Sequence, residues 1–223
     1  MTATQLNLSD PRVKRTRQLI QQAFVSLLAQ KSFDAVTVQD IAGRATVNRA
    51  TFCAHYEDKY DLVASLAREQ LKERLAASVR LESPPTASGL QRGAQTVFDF
   101  LAETYGHCMP SGQLAPMLER ATHDALYDFI EVWLKVSPER GATRDVSSVT
   151  AEVVTSTLIG LGMRSVLRSD TGLTKFDVGP QGSASLARQV VTVLTNGIPA
   201  HVLGPYDTQA RPSRREPSTA ARD

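Results

Sequence analysis

The fold of this chain is decided by residues 37–56, which read TVQDIAGRATVNRATFCAHY. Thr37 stands three residues before Asp40, which is the spacing of a capping box at the start of a helix. A second short helix is predicted from Arg49 to Tyr56, after a tight turn. Apolar side chains fall where each helix would face the other, and they are Val38, Ile41, Ala42, Val47 and Phe52. The stretch therefore predicts two short helices that are packed together across the turn.

The polar side chains of this stretch are left to face outward. They are Gln39, Arg44, Asn48, Arg49, Thr51 and His55. The major groove of duplex DNA admits an α-helix, and the first turns of such a helix reach the edges of the bases. Asn48 is placed to cap the second helix, where free backbone N–H groups favour a nearby phosphate oxygen. The pattern indicates a helix-turn-helix that binds DNA, and the alternative is an ordinary packed pair of helices.

Helical spacing extends through the rest of the chain. Ile20, Phe24 and Leu27 recur on one face of a first helix, which Asp10-Pro11 would start as N-cap and first-turn proline. We expect an all-α fold of about nine helices, with an N-terminal three-helix head and a C-terminal antiparallel helical bundle. The predicted segments are a flexible arm (1–11), a helix-turn-helix head (12–60), a helical body (61–204) and a disordered tail (205–223).

Composition narrows the classes of function. Hydrophobic residues make up 42% of the 223 residues, which is enough for a buried core. No run approaches the roughly 18 apolar residues that span a bilayer, and the first residues lack the pattern of a secretory signal. The two cysteines, Cys53 and Cys108, form no CxxC pair, which argues against a disulfide framework and a zinc site. We therefore expect a cytoplasmic protein with no membrane, metal or cofactor partner.

Charge is distributed unevenly between the two predicted parts. Residues 12–60 carry eight Lys/Arg and four Asp/Glu, whereas residues 61–204 carry thirteen Lys/Arg and fifteen Asp/Glu. A basic head on a mildly acidic body fits a polyanionic partner. The same charges could also belong to a solvated helix face, so the charge pattern supports DNA binding without establishing it.

Residues 12–66 resemble the DNA-binding head of the tetracycline-repressor-like (TetR) family of bacterial transcription regulators. The matching motifs are Ile41-Ala, Val47-Asn-Arg-Ala-Thr-Phe and His55-Tyr-x-Asp-Lys59-x-x-Leu62. By position, the resemblance implies base contacts from Gln39, Asn48, Arg49, Ala50 and Thr51, and phosphate contacts from Thr37, His55 and Lys59.

Two positions depart from the family pattern. Thr46 stands where the family usually has glycine, so we expect the turn to avoid a left-handed backbone, which is costly for a β-branched residue. Cys53 stands where the family usually has a tyrosine that contacts phosphate. A thiol does not replace that reach, which puts the phosphate contact at this DNA-facing position in question.

The resemblance also implies a homodimer that binds a palindromic double-stranded operator and is released by a small-molecule effector, most commonly as a repressor. The fourth helix, predicted over Asp61 to Arg80, would act as the lever between head and body. The candidate pocket residues are Phe98, Tyr105, Met117, Tyr127, Phe129 and Trp133, although each also has helical core spacing. The candidate dimer face contains Val153, Thr157, Gly160, Leu161, Leu186, Val190 and Leu194, for which burial within the subunit is the alternative.

Three other functions remain open from the sequence. Oxidation of Cys53 could switch DNA binding, although a small residue replacing tyrosine is the simpler interpretation. The regulator could be an activator or could respond to a protein partner. An all-α enzyme using His107, Cys108 or His123 is a remote alternative, because no nucleotide loop, metal motif or catalytic triad is visible. We therefore expect that the protein is not an enzyme.

Overall fold

The computed structural model describes residues 10–81, 84–106, 114–136, 144–168 and 180–196. These ranges contain eight helices and no strand, so the all-α prediction is confirmed, with one helix fewer than the expected nine. The helices are α1 (Pro11–Leu28), α2 (Val38–Arg44), α3 (Arg49–His55), α4 (Lys59–Ser78), α5 (Ala87–Gly106), α6 (Leu114–Leu134), α7 (Arg144–Arg168) and α8 (Pro180–Asn196). The predicted arm and tail lie almost wholly outside the described residues.

The first four helices each begin at a side-chain cap. The caps are Asp10, Thr37, Asn48 and Asp58, which accept hydrogen bonds from backbone amides two or three residues later over 2.6–3.1 Å. Each cap satisfies N–H groups that have no partner within the helix. Local sequence therefore sets where these helices start, as predicted for the caps Asp10, Thr37 and Asn48.

The head has its own apolar core, built from α1, α2, α3 and the first turn of α4. Ile20, Ile41, Phe52 and Leu62 are fully buried in it. Phe52 lies on the inner side of α3, so the opposite side of this short helix faces solvent. The core thus holds the helix pair in one orientation.

The body is an antiparallel bundle with a second core. Helix α4 packs against α6 and α5, α5 also packs against α7 and α8, and α6 packs against α7. Leu71 and Leu75 of α4 are buried in this core together with Phe98 and Leu126. Since α4 also supplies Leu62 to the head core, one continuous helix belongs to both cores. No helix in the described part of the chain is long and apolar enough to cross a membrane.

The turn between α2 and α3 corrects one expectation. Thr46 has a φ of 57°, so the turn does adopt the left-handed backbone that we expected it to avoid. The amide of Thr46 donates to the Gly43 carbonyl (3.2 Å) and that of Val47 to the Ala42 carbonyl (3.0 Å). These two bonds form a Schellman motif, which ends α2 and requires a left-handed residue at this position. The prediction from residue type was wrong because the hydrogen bonds of the helix end decide the backbone.

Candidate nucleic-acid interface

Four of the five predicted base-contacting residues are exposed. Gln39 of α2 and Asn48, Arg49 and Ala50 at the start of α3 are exposed, and Thr51 is half-buried. The head core holds α3 from behind through Phe52. The structure therefore presents a short helix whose N-terminal turn carries polar side chains, the form that enters a major groove.

Two of these residues also start helices. The Asn48 Oδ1 accepts from the Thr51 amide at 2.6 Å, which leaves the side-chain NH₂ group to donate elsewhere. The Thr37 hydroxyl donates to Asp40 Oδ2 at 2.7 Å. Hydrogen bonds from Lys31 and Thr37 hold the pKa of the Asp40 carboxyl well below its usual range, so this capping box stays ionised at every physiological pH.

His55 is half-buried at the end of α3. Burial and then the positive charge of Arg17 lower its pKa below the usual value, so the imidazole is neutral at pH 7. Its Nδ1 is buried without a hydrogen-bond partner among the described residues.

Lys59 is engaged with the loop between α1 and α2. Its ammonium group donates to the carbonyls of Phe33 (3.0 Å), Asp34 (3.1 Å) and Val36 (3.0 Å), and it lies 4.6 Å from the centre of the Phe33 ring. An ammonium group has three protons, and these three bonds use all of them. In this conformation Lys59 holds the loop in place, whereas the family resemblance implies a phosphate contact for it.

Cys53 is exposed on α3, on the same outer side as Arg49. The thiol therefore faces the surface that DNA would approach, in the place of the usual tyrosine. The other cysteine, Cys108, lies outside the described residues, as does His107.

A polar network joins the head to α4 and was not found from the sequence. Arg17 donates to Ser65 Oγ and Glu69 Oε1, each at 2.7 Å, and its guanidinium lies 4.6 Å from the centre of the Tyr56 ring. The Gln21 amide donates to Glu69 Oε2 (2.7 Å) and to the Tyr56 hydroxyl (3.2 Å). Burial raises the pKa of Tyr56 to about 12, so this hydroxyl stays protonated. We call these five residues the α1–α3–α4 network.

A cavity lies at the end of the body distant from the head. This distal cavity has a volume of about 610 Å³ and is formed by the start of α5, the end of α6, the start of α7 and the end of α8. Its walls are mostly apolar, with Leu90, Ile130, Trp133 and Val154 among them and threonine side chains between them.

The six predicted pocket residues are not gathered at this cavity. Trp133 lines it, whereas Phe98, Tyr105 and Phe129 are buried in the body core and Met117 and Tyr127 are partly buried outside the lining. Burial raises the pKa of Tyr105 to about 12, and its hydroxyl has no well-formed hydrogen bond to any described residue. The cavity joins ends of four helices, and single-helix spacing does not reveal such a meeting point.

The predicted dimer residues divide into two groups. Val153, Gly160 and Leu161 are exposed on α7, and no described atom lies within 4 Å of a Cβ built on Gly160. Thr157 and Leu194 are half-buried, whereas Leu186 and Val190 are buried within the subunit. Val149 of α7 and Val193 of α8 are also exposed.

Of the three residues named for the enzyme alternative, His123 is the one that the structure describes. No group of three His, Cys, Asp or Glu side chains that could hold a metal ion occurs within the described ranges. His123 of α6 lies 3.3 Å from Glu152 of α7, where it joins two body helices.

Comparisons with known proteins agree with the head geometry. Residues 20–66 match the model of the family described as bacterial regulatory proteins, tetR family. An uncharacterized HTH-type transcriptional regulator, YxbF of Bacillus subtilis, is 37% identical over 65 residues, which is 29% of this chain. The chain spans 17% of that relative's length.

A solved structure shares the fold over a longer range. The fatty acid degradation regulator FadR from Bacillus halodurans superposes with a TM-score of 0.50 at 16% identity, covering 82% of this chain and 96% of FadR. A TetR-family regulator from Streptomyces coelicolor gives a TM-score of 0.49 at 18% identity, covering 82% and 98% of the two chains.

Proposed function

We propose that the chain is a member of the TetR family of bacterial regulatory proteins and a sequence-specific transcriptional regulator that binds duplex DNA as a homodimer. The observation that carries this proposal is the exposed turn of Asn48, Arg49 and Ala50 at the start of α3. A closed apolar core fixes this turn, so the side chains meet a groove with little loss of conformational entropy.

We propose that α7 and α8 form the dimer face through the exposed residues Val149, Val153, Gly160, Leu161 and Val193. One recognition helix makes few base contacts, whereas two heads about 34–36 Å apart read both halves of a palindrome. The exposed apolar side chains explain why a second copy would cover this face, and Gly160 allows its backbone to approach closely.

We further propose that an apolar small molecule in the distal cavity controls DNA binding. The volume of about 610 Å³ falls within the roughly 300–1,000 Å³ of sites for drug-sized ligands, and the lining is mostly apolar. Val149 and Val153 lie both in this lining and among the exposed residues of α7, so an occupant would contact the helix that pairs the subunits. Release from the operator, and thus repression in the absence of effector, is the proposed outcome.

Selection of genomic fragments by the purified protein tests the main proposal. We expect enrichment of one palindromic site over bulk competitor DNA. A strictly monomeric protein, or one with no preference for any palindrome, would contradict it. If transcription rises when the protein occupies its site, the protein is an activator. If a bound protein, and no small molecule, changes the affinity for DNA, the regulator responds to a protein partner.

Replacement of Arg49 by alanine tests direct base contact. Because a bidentate arginine–guanine pair is worth about 1–3 kcal/mol of discrimination, Arg49→Ala should weaken binding to the selected site about 5- to 150-fold more than binding to random DNA. Arg120→Ala, an exposed arginine on α6, is the matched control and should change neither. Equal losses on both DNAs would assign Arg49 to a phosphate instead. Fluorescence anisotropy at one fixed salt concentration measures both affinities.

A further inference from the structure

A second opening lies between the head and the body. Helix α1, the α1–α2 loop and helices α4, α5 and α6 border an open space of about 400 Å³, and we call this space the head–body cleft. Phe24, Leu28 and Phe33 line it from the head, and Leu66, Phe100 and Leu118 line it from the body. It shares no lining residue with the distal cavity. Its volume also falls within the roughly 300–1,000 Å³ of small-molecule sites.

The aromatic wall of the cleft is held in place before any ligand arrives. The Phe33 ring makes edge contacts with the rings of Phe24 and Tyr60, with centroids 6.3 and 5.2 Å apart. The Phe33 carbonyl accepts a hydrogen bond from the Lys59 ammonium at 3.0 Å. A wall that is already ordered lowers the entropy cost of binding.

The positive charge at the edge of the cleft is paired with a negative charge. Lys31 is the one charged side chain among the described lining residues, and its ammonium lies 2.7 Å from the Asp40 carboxylate. An anionic ligand beside Lys31 would therefore also meet the negative charge of Asp40. The other polar lining side chains are Ser32, Gln70 and Thr104, which are neutral and can pair with a hydroxyl, carbonyl or amino group.

We propose that the head–body cleft is a binding site for an uncharged, largely apolar small molecule that carries a ring system. Phenylalanine rings from three elements (α1, the α1–α2 loop and α5) supply flat apolar surface, and the neutral polar side chains supply orientation. The site is separate from the distal cavity of the proposed effector. It contacts the head and the body at once, so an occupant opposes any motion that closes the cleft.

Methyl-resolved NMR of the full chain locates the binding of a neutral probe, N-phenyl-1-naphthylamine. We expect saturable shifts of the methyl signals of Leu28, Val63 and Leu66, which line the cleft. Shifts that are confined to Val149, Val153 and Leu194 of the distal cavity, or no shifts at all, would overturn the proposal. Neither result depends on DNA, so the outcome is distinguishable from failure of the proposed function.

A pair of variants on α1 checks the same assignment. Leu28 lines the cleft and is 41% exposed, whereas Val25 is 55% exposed on the same helix and does not line it. Leu28→Glu should weaken the affinity of the probe, measured from the shifts of the cleft methyl groups, roughly tenfold or more. The reason is that the bound apolar probe would remove water from the new carboxylate. Val25→Glu should leave the affinity unchanged. Equal affinities for the two variants would overturn the site; if Leu28→Glu fails to fold, the methyl map of the wild-type chain decides alone.

Discussion

Thr46 holds a left-handed backbone conformation that glycine adopts without strain. The Schellman bonds at the end of α2 require this conformation, and the head core fixes the turn on both sides. A non-glycine residue in this region costs roughly 1–3 kcal/mol, so the turn stores strain next to α3. The strain is tolerated because the bonds and the packing around it outweigh it.

Thr46→Gly should therefore stabilise the protein. The relieved strain exceeds the entropy that glycine adds to the unfolded chain, and the exposed threonine side chain gives up little packing, so we expect a gain of about 1 kcal/mol. Thr96→Gly in the middle of α5 is the control and should lower stability, because its backbone is helical. Urea unfolding at one protein concentration measures both changes. A loss of stability in Thr46→Gly would show that the turn is unstrained.

At the scale of secondary-structure elements, α4 links the two cores. Its first turn places Leu62 in the head core, its later turns place Leu71 and Leu75 in the body core, and Ser65 and Glu69 between them bind α1. A displacement of α4 therefore reaches α1 through charged hydrogen bonds and reaches α3 through Gln21 and Tyr56. This is the physical form that we propose for the predicted lever.

Removal of the Glu69 carboxylate tests whether the α1–α3–α4 network holds the head on α4. Glu69→Ala leaves the Arg17 guanidinium, which is 18% exposed, without its ion-pair partner, and we expect a loss of about 1–2 kcal/mol in the free energy of unfolding. The control is Asp128→Ala, which removes a more exposed ion pair between Lys72 of α4 and α6. That change should stay within about 0.5 kcal/mol. Equal losses in the free energy of unfolding for the two variants would show that Glu69 contributes no more than an exposed ion pair does.

At the scale of the whole molecule, the exposed apolar residues of α7 test the proposed assembly. Leu161 is exposed and does not line the distal cavity, so Leu161→Glu should act on the interface alone. We expect this variant to sediment as a monomer and to lose most of its affinity for the selected palindrome, because each head then binds separately. Val132→Glu, which changes an exposed valine on α6, should remain dimeric. A dimeric Leu161→Glu protein would move the interface away from this face of α7.

Short-range chemistry accounts for what the sequence predicted well. The caps Asp10, Thr37 and Asn48 act on amides within three residues, so the helix starts are visible in the sequence, and the helix-turn-helix lies within 20 consecutive residues. The network and the Lys59 bonds join positions that are 23 to 52 residues apart. Side-chain pairing over such distances, and cavities formed by the ends of four helices, depend on packing that spacing alone does not determine.

The contribution of α4 to the head has a consequence for engineering. A chimera that transplants residues 12–60 onto another body would leave behind Leu62, which is fully buried in the head core, and Glu69, which binds Arg17 and Gln21. The transplanted unit would expose an apolar gap and an unpaired guanidinium. A fusion joint placed after Glu69 keeps both groups with the helices that they serve, at the cost of carrying half of α4 into the foreign protein.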